Sequence, residues 1–212
     1  MVDLVPPEPK TRSPIRNEDA DDQAIGGLAE LLSSRVRATL LAWLAPRLDA
    51  AFSLTDLARG TGLAISSLQH ECYKLERMGV LTSSRAGQSR YYRLELGNHV
   101  ARALVGLAIA VLGLERVIKE AAGDQGTFDT VALANPHGGR GRPVLVLAGK
   151  ASLTALDTVV RRCELVLGSP AGTIELAFVG VAADHATISR LIRRLAGYSV
   201  QPIHGAWPPE GN

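Results

Sequence analysis

Apolar residues along positions 27–98 change period twice. Leu28, Leu31, Leu32, Val36, Leu40, Leu41 and Leu44 recur at three- and four-residue spacing, which predicts one helix ending near Pro46. Ser53 then reads as the N-cap of a short helix, Leu54 to Arg59, with Gly60 and Gly62 flanking a turn. A third helix is predicted over 65–78, stopped at Gly79 by a residue suited to left-handed backbone. Two short strands follow, 80–83 and 90–94, with 85–88 as the hairpin tip. Helix, short helix, tight turn, helix and hairpin is the order of a winged helix-turn-helix.

Beyond the hairpin, 100–121 is helical by pattern. Over 103–114 it is apolar almost all round, so it must be covered on more than one side. The last part alternates strands and helices. Strands are predicted over 129–134, 143–148, 174–179 and 199–204, the second a continuous apolar run of the kind a buried strand shows. The helix over 152–167 places Leu153, Leu156, Val159, Val160 and Cys163 inward. The helix over 187–196 does the same with Ile188, Leu191, Ile192 and Leu195. The expected fold class is α+β. It comprises an N-terminal arm (1–26), a winged helix-turn-helix (27–98), a linking or dimerisation helix (99–123) and a small C-terminal α/β domain (124–212).

Composition sharpens this division. Residues 1–24 are rich in proline and charge, three basic against six acidic, and cannot bury enough apolar surface to offset chain entropy. A disordered arm is expected there, read first as an inert tail and alternatively as a mobile arm whose Lys10, Arg12 and Arg16 touch DNA. Residues 27–98 carry nine basic and six acidic residues, a mildly positive balance compatible with phosphate contacts. No run of about 18 uncharged apolar residues exists, so no membrane span is expected. Nor does the N-terminus have the pattern of a signal peptide. The two cysteines, Cys72 and Cys163, are far apart and lack partner motifs, which argues against a disulfide framework or zinc site and fits a reducing cytoplasm.

The third helix must show one face to its own core and another to the DNA major groove. Leu68, Cys72, Leu75 and Met78 form the expected buried stripe. The opposite face carries Ser66, Ser67, Gln69, His70 and Tyr73. The two serines sit where hydroxyls and backbone N–H groups meet phosphate. Gln69 suits a two-point contact with adenine, and His70 and Tyr73 suit a base edge or a phosphate. Lys74 and Arg77 are phosphate candidates further along, and Glu71 is expected to repel phosphate. Arg85, Gln88 and Arg90 lie at or near the hairpin, in reach of the minor groove and its flanking phosphates.

Residues 53–94 resemble the ArsR-type winged-helix regulators. The match is carried by Leu57-Ala58, Gly62-Leu63, Ser66-Ser67-Leu68, Leu75-Glu76, Gly79-Val80-Leu81, Gly87 and Arg90-Tyr91-Tyr92-Arg93-Leu94. The resemblance implies a homodimer packed through the helix after the wing. Metal sensors of this type use cysteine pairs on the third helix or His/carboxylate pairs on the dimer helix. Here Cys72 has no second cysteine near it, Glu71 and His70 point different ways, and His99 has no acid within a turn. No metal or other cofactor is expected.

The C-terminal part is similar to a minimal nucleotidyltransferase domain over about 50 residues. That family places a Gly-Ser turn after its first strand and an Asp-x-Asp pair at its second. Asn135-Pro136 replaces the former, and 142–144 hold no acid. Magnesium needs hard oxygen ligands, so the resemblance implies a domain without transfer chemistry, kept for assembly or binding. The glycine-rich, basic stretch 137–142 offers backbone N–H groups to an anion but lacks a Walker ending, and reads first as a surface turn. Asp184 is read as a helix start, since no nucleophile motif accompanies Asp184-His185. The function expected is a sequence-specific, dimeric repressor that is not an enzyme, with a protein partner or small effector at the C-terminal domain. The alternatives are a plasmid-maintenance or antitoxin-like assembly protein and a nucleotidyltransferase.

Overall fold

The computed structural model describes residues 17–209 apart from Asp124, Arg140 and Ala182. Lys10, Arg12 and Arg16 of the expected arm lie outside the described residues. Where one N-terminal helix was expected there are two, α1 (Asn17–Leu32) and α2 (Arg35–Leu44). The chain breaks at Ser33, whose φ of 52° is left-handed, and restarts at Ser34, whose hydroxyl accepts a hydrogen bond from the Arg37 backbone N–H at 3.2 Å. Ser34 serves as the cap because its hydroxyl bonds a backbone N–H that the first turn leaves free. Helix α1 also begins inside the expected arm, nine positions before its end. Asp22 pairs with Arg35 at 2.8 Å, and Leu28 anchors α1 in the core.

The short helix α3 (Leu54–Thr61) is held by a reciprocal cap. Ser53 accepts from the Asp56 N–H, and Asp56 accepts from the Ser53 backbone and hydroxyl. These bonds lower the Asp56 pKa below the usual carboxylate range. Gly62 ends α3 at φ 70°, and α4 (Ile65–Arg77) follows. The wing comprises β2 (Leu81–Ala86) and β3 (Ser89–Leu94), joined through Gly87 at φ 62°. A strand of two residues, β1 (Phe52–Ser53), adds to the outside of β3, giving the order β1-β3-β2. It is too short to show a pattern. Gly60 on α3 lies so close to Trp43 of α2 that a Cβ there would overlap the indole.

The helix predicted over 100–121 is also divided. α5 (His99–Leu112) is capped by Asn98, Gly113 turns the chain at φ 88°, and α6 (Leu114–Gly123) leaves in a new direction. Then come β4 (Thr127–Pro136), β5 (Val144–Lys150), α7 (Leu153–Val166), β6 (Glu175–Gly180), α8 (His185–Arg194) and β7 (Tyr198–His204). The four strands form one sheet in the order β6-β5-β4-β7; β5 and β6 are parallel and the other two pairings antiparallel. Asp184 caps α8 as expected, accepting from Thr187.

This second sheet is covered on both faces. Val131, Leu145 and Leu147 join Leu156, Val159 and Cys163 of α7 and Val117 and Ile118 of α6. That core is continuous with the core of the winged helix. Ala132, Ala134, Val144 and Val146 face Ile188 and Leu191 of α8 in a separate core. Leu153 is 86% exposed and Ile192 40% exposed, so the inward stripes of α7 and α8 are narrower than predicted. The two halves are also tied by charge. Arg162 of α7 donates from Nε to Asp49, just after α2, at 2.8 Å, and both side chains are largely buried. The molecule is thus a mixed helix-and-sheet protein with a winged helix-turn-helix and a sheet domain sharing one core.

Candidate nucleic-acid interface

Helix α4 presents its two faces by simple periodicity. Leu68, Cys72 and Leu75 are fully buried at spacings of four and three. Met78 does not continue the stripe: it caps the helix, outside the α-helical turn, and is 49% exposed. Glu71 also departs from expectation. It is 4% exposed and accepts a hydrogen bond from Arg37 Nε of α2 at 2.6 Å. Its charge is answered inside the protein, and it does not stand on the outer face to repel phosphate. Burial pushes the Cys72 thiol up to about 12, so it stays protonated and serves as packing.

The outer face is polar. Ser66, Ser67, Gln69, His70, Tyr73, Lys74 and Arg77 are all exposed, as the spacing predicts. The first turn of α4 has no side-chain cap, since the N-cap residue is Ala64. Its leading N–H groups are therefore available beside the two serine hydroxyls, a local arrangement suited to a phosphate oxygen. Gln69, His70 and Tyr73 stand one turn further on. The Arg77 guanidinium lies 5.8 Å from the Tyr73 ring centroid, which orders both side chains at the edge of the face. Arg37 and Met78 share a shallow hollow of about 280 Å³ with Lys74 and Arg77. Sequence reasoning missed Arg37, because nothing in the pattern of α2 shows that it reaches α4.

The wing contributes unequally. Pairing of Arg85 with Arg90 and of Ser83 with Tyr92 puts these four residues on one face of the hairpin. Arg85 and Gln88 are exposed near its tip. Arg90 is committed elsewhere: its Nη2 donates to both carboxylate oxygens of Glu76 at 2.7 Å, and its Nε donates to the Ser83 hydroxyl at 2.8 Å. Ser83 in turn donates to Glu76 at 2.6 Å. The Ser83 hydrogen bond and, after it, the Arg90 contact hold the Glu76 carboxyl below its ordinary pKa. Arg90 thus fastens the wing to α4 through Glu76, a residue whose pairing with it the spacing does not show. Between helix and wing lies a cleft of about 330 Å³ whose walls include Gln69, His70, Tyr73, Glu76 and Arg90.

The outer face of α4 combines hydrogen-bonding groups with cations. Amide, imidazole and phenol groups occupy the centre of α4, where they can exchange hydrogen bonds with bases, and cations flank them. Among the described residues, no three His, Cys, Asp or Glu side chains are grouped to hold a metal ion. None of the described helices is long and apolar enough to cross a membrane. Ahead of β5, which opens on Val144, stand Arg142 and Pro143.

No family model matches the chain, and no curated protein matches it. Solved structures similar to part of it include reduced HlyU from Vibrio cholerae N16961, 21% identical, covering 45% of this chain and 97% of that one with a TM-score of 0.33. The apo form of MarR from E. coli is 13% identical, covering 51% of this chain and 78% of that one with a TM-score of 0.35. The AntR antimony-specific transcriptional repressor is 20% identical, covering 58% of this chain and 100% of that one with a TM-score of 0.28. At these scores the likeness assigns no family, and function has to be drawn from the chain's own geometry.

Proposed function

We propose that the chain is a sequence-specific DNA-binding transcriptional regulator of the ArsR-like winged-helix type, acting as a dimeric repressor in a reducing cytoplasm. One observation carries this reading: Gln69, His70 and Tyr73 stand exposed at the centre of α4, flanked by Lys74 and Arg77, and beside a wing fastened to the same helix. Ser66 and Ser67 take a phosphate at the start of α4. Gln69 and His70 read bases. Tyr73, Lys74 and Arg77 hold the backbone, and Arg85 and Gln88 extend contact along the groove. Arg90 acts indirectly, by holding the wing.

The dimer is supported by what α1 and α5 leave uncovered. Leu31 is 65% exposed and Val100 47% exposed, and Leu104, Leu107, Ile109 and Val111 are only half-buried in the single chain. To read two half-sites in successive major grooves, the α4 helices of such a dimer must stand about 34–36 Å apart. Repression needs no contact beyond tight occupancy of a promoter. The C-terminal domain, which lacks an acidic pair at the β4–β5 mouth, serves assembly or effector binding and carries out no nucleotidyl transfer.

Selection of bound sequences from random duplex DNA tests the reading. The expected product is an enriched motif with dyad symmetry and half-sites one helical turn apart. Binding with no enriched motif would replace the regulator with an architectural protein. An absence of binding would mean that the winged helix serves protein contacts.

A further inference from the structure

Where Gly113 turns the chain between α5 and α6, the bend and the second sheet form the walls of an open cavity of about 420 Å³. Leu112, Leu114 and Ile118 line it from the bend, and Leu133 and Ile203 from β4 and β7. Both the volume and the apolar lining are those of a small-molecule pocket, for which about 300–1,000 Å³ is usual. Its polar part is small and one-sided. Gln201 of β7 donates to Glu115 of α6 at 2.6 Å, which engages the carboxylate in the lining. The remaining polar lining residue is Arg116, whose guanidinium carries donors and no acceptor.

Arg116 also begins a chain of contacts that leaves the cavity. Its Nε donates to Glu120 at 2.9 Å, and Glu120 faces Arg47 at 3.8 Å. Arg47 donates to the Trp43 carbonyl at 2.7 Å and lies 4.6 Å from the centroid of the indole. That indole touches Gly60 of α3 and meets the Phe52 ring edge-on at a centroid distance of 4.6 Å. Phe52 is paired with Tyr92 of the wing. A set of packed and charged groups therefore runs from the cavity wall to α3 and to strand β3 of the wing.

We propose that this cavity is an effector site for a small, largely apolar molecule ending in a carbonyl or carboxylate oxygen, and that its occupancy is passed to the winged helix through Arg116, Glu120, Arg47 and Trp43. The purpose of the site rests on the regulator reading, but binding and transmission are both measurable without DNA, so the two fail separately.

The probes are octanoate and its neutral counterpart 2-octanone, added to the full chain. At least one is expected to raise the thermal midpoint saturably, and comparison of the two shows whether the site favours charge. Leu114→Phe plugs the mouth and is expected to weaken that response at least tenfold; Ile203→Phe, from the sheet side, replaces it if L114F does not fold by circular dichroism. In W207F, Trp43 is the remaining tryptophan, and its emission is expected to shift with the same midpoint as the thermal response. Comparing the unmodified chain with W43F gives the same signal by difference. Glu120→Gln is expected to keep the thermal response and lose the emission shift. No saturable response to either probe, or an undiminished response in the plugged variant, overturns the site. A full emission shift in E120Q overturns the route.

Discussion

Arg90 of the wing and Glu76 of α4 face each other through two hydrogen bonds of 2.7 Å, with the Ser83 hydroxyl bonded to both residues. The relationship ties the wing to the helix beside it and engages Nε and Nη2 of an arginine that is still 44% exposed. It also makes wing attachment dependent on pH. The Glu76 pKa in the folded chain is lowered from 4.5, first by the Ser83 hydrogen bond and then by Arg90. A depressed folded pKa means stabilisation that is fully present above the unfolded value and is lost as pH falls through the folded one. Urea midpoints should therefore fall below pH 4.5 by more in the unmodified chain than in Glu76→Gln, whose lower stability at neutral pH should show less of this dependence. Equal acid sensitivity of the two would remove Glu76 from the account.

Arg162 and Asp49 join the second domain to the first with little solvent around them. Breaking a buried pair by removing one partner leaves a charge without its answer, at a cost of about 3–5 kcal/mol. Arg162→Ala should lower stability by that order. Because one core runs through both halves, calorimetry of the unmodified chain should show a single transition. If R162A melts in two steps, the pair is what couples the halves; if it is as stable as the parent, the pair contributes nothing.

Lys74 and Arg77 flank the reading face and should act through phosphate charge. Changing either to alanine is expected to weaken binding to specific and scrambled duplexes alike, and to reduce the slope of log affinity against log salt by about 1. Anisotropy titrations at two salt concentrations read both quantities. A change confined to the specific site would make the residue a base reader instead.

Much of the winged helix was legible because local rules agree there. The Leu68–Cys72–Leu75 stripe, the Ser53 cap and Gly62 each follow from residues within one or two turns. What was not legible depends on partners distant in sequence. Glu71 looks like a solvated acid until Arg37, thirty-four positions earlier, is seen to bond it. Arg90 looks like a groove contact until Glu76 is placed opposite it. The breaks at Ser33 and Gly113 do not show in the sequence for a different reason: the apolar spacing continues across both, so periodicity reports one helix where the backbone turns. In the C-terminal domain the strands and helices were evident from their apolar runs. The strand order was not, since β7 reaches β4 by crossing the sheet.

The most direct test of the central claim is a comparison of the unmodified chain with the double variant Gln69→Ala/His70→Ala, titrated by anisotropy against a selected duplex and a scrambled one. Both side chains are exposed, so circular dichroism and thermal midpoint should be unchanged. The account predicts that the preference for the selected duplex collapses, with a loss of about 1–3 kcal/mol for each base contact removed, while binding to the scrambled duplex stays near its original level. Unchanged affinity for the selected duplex would contradict it, and would show that α4 does not read the sequence through these residues.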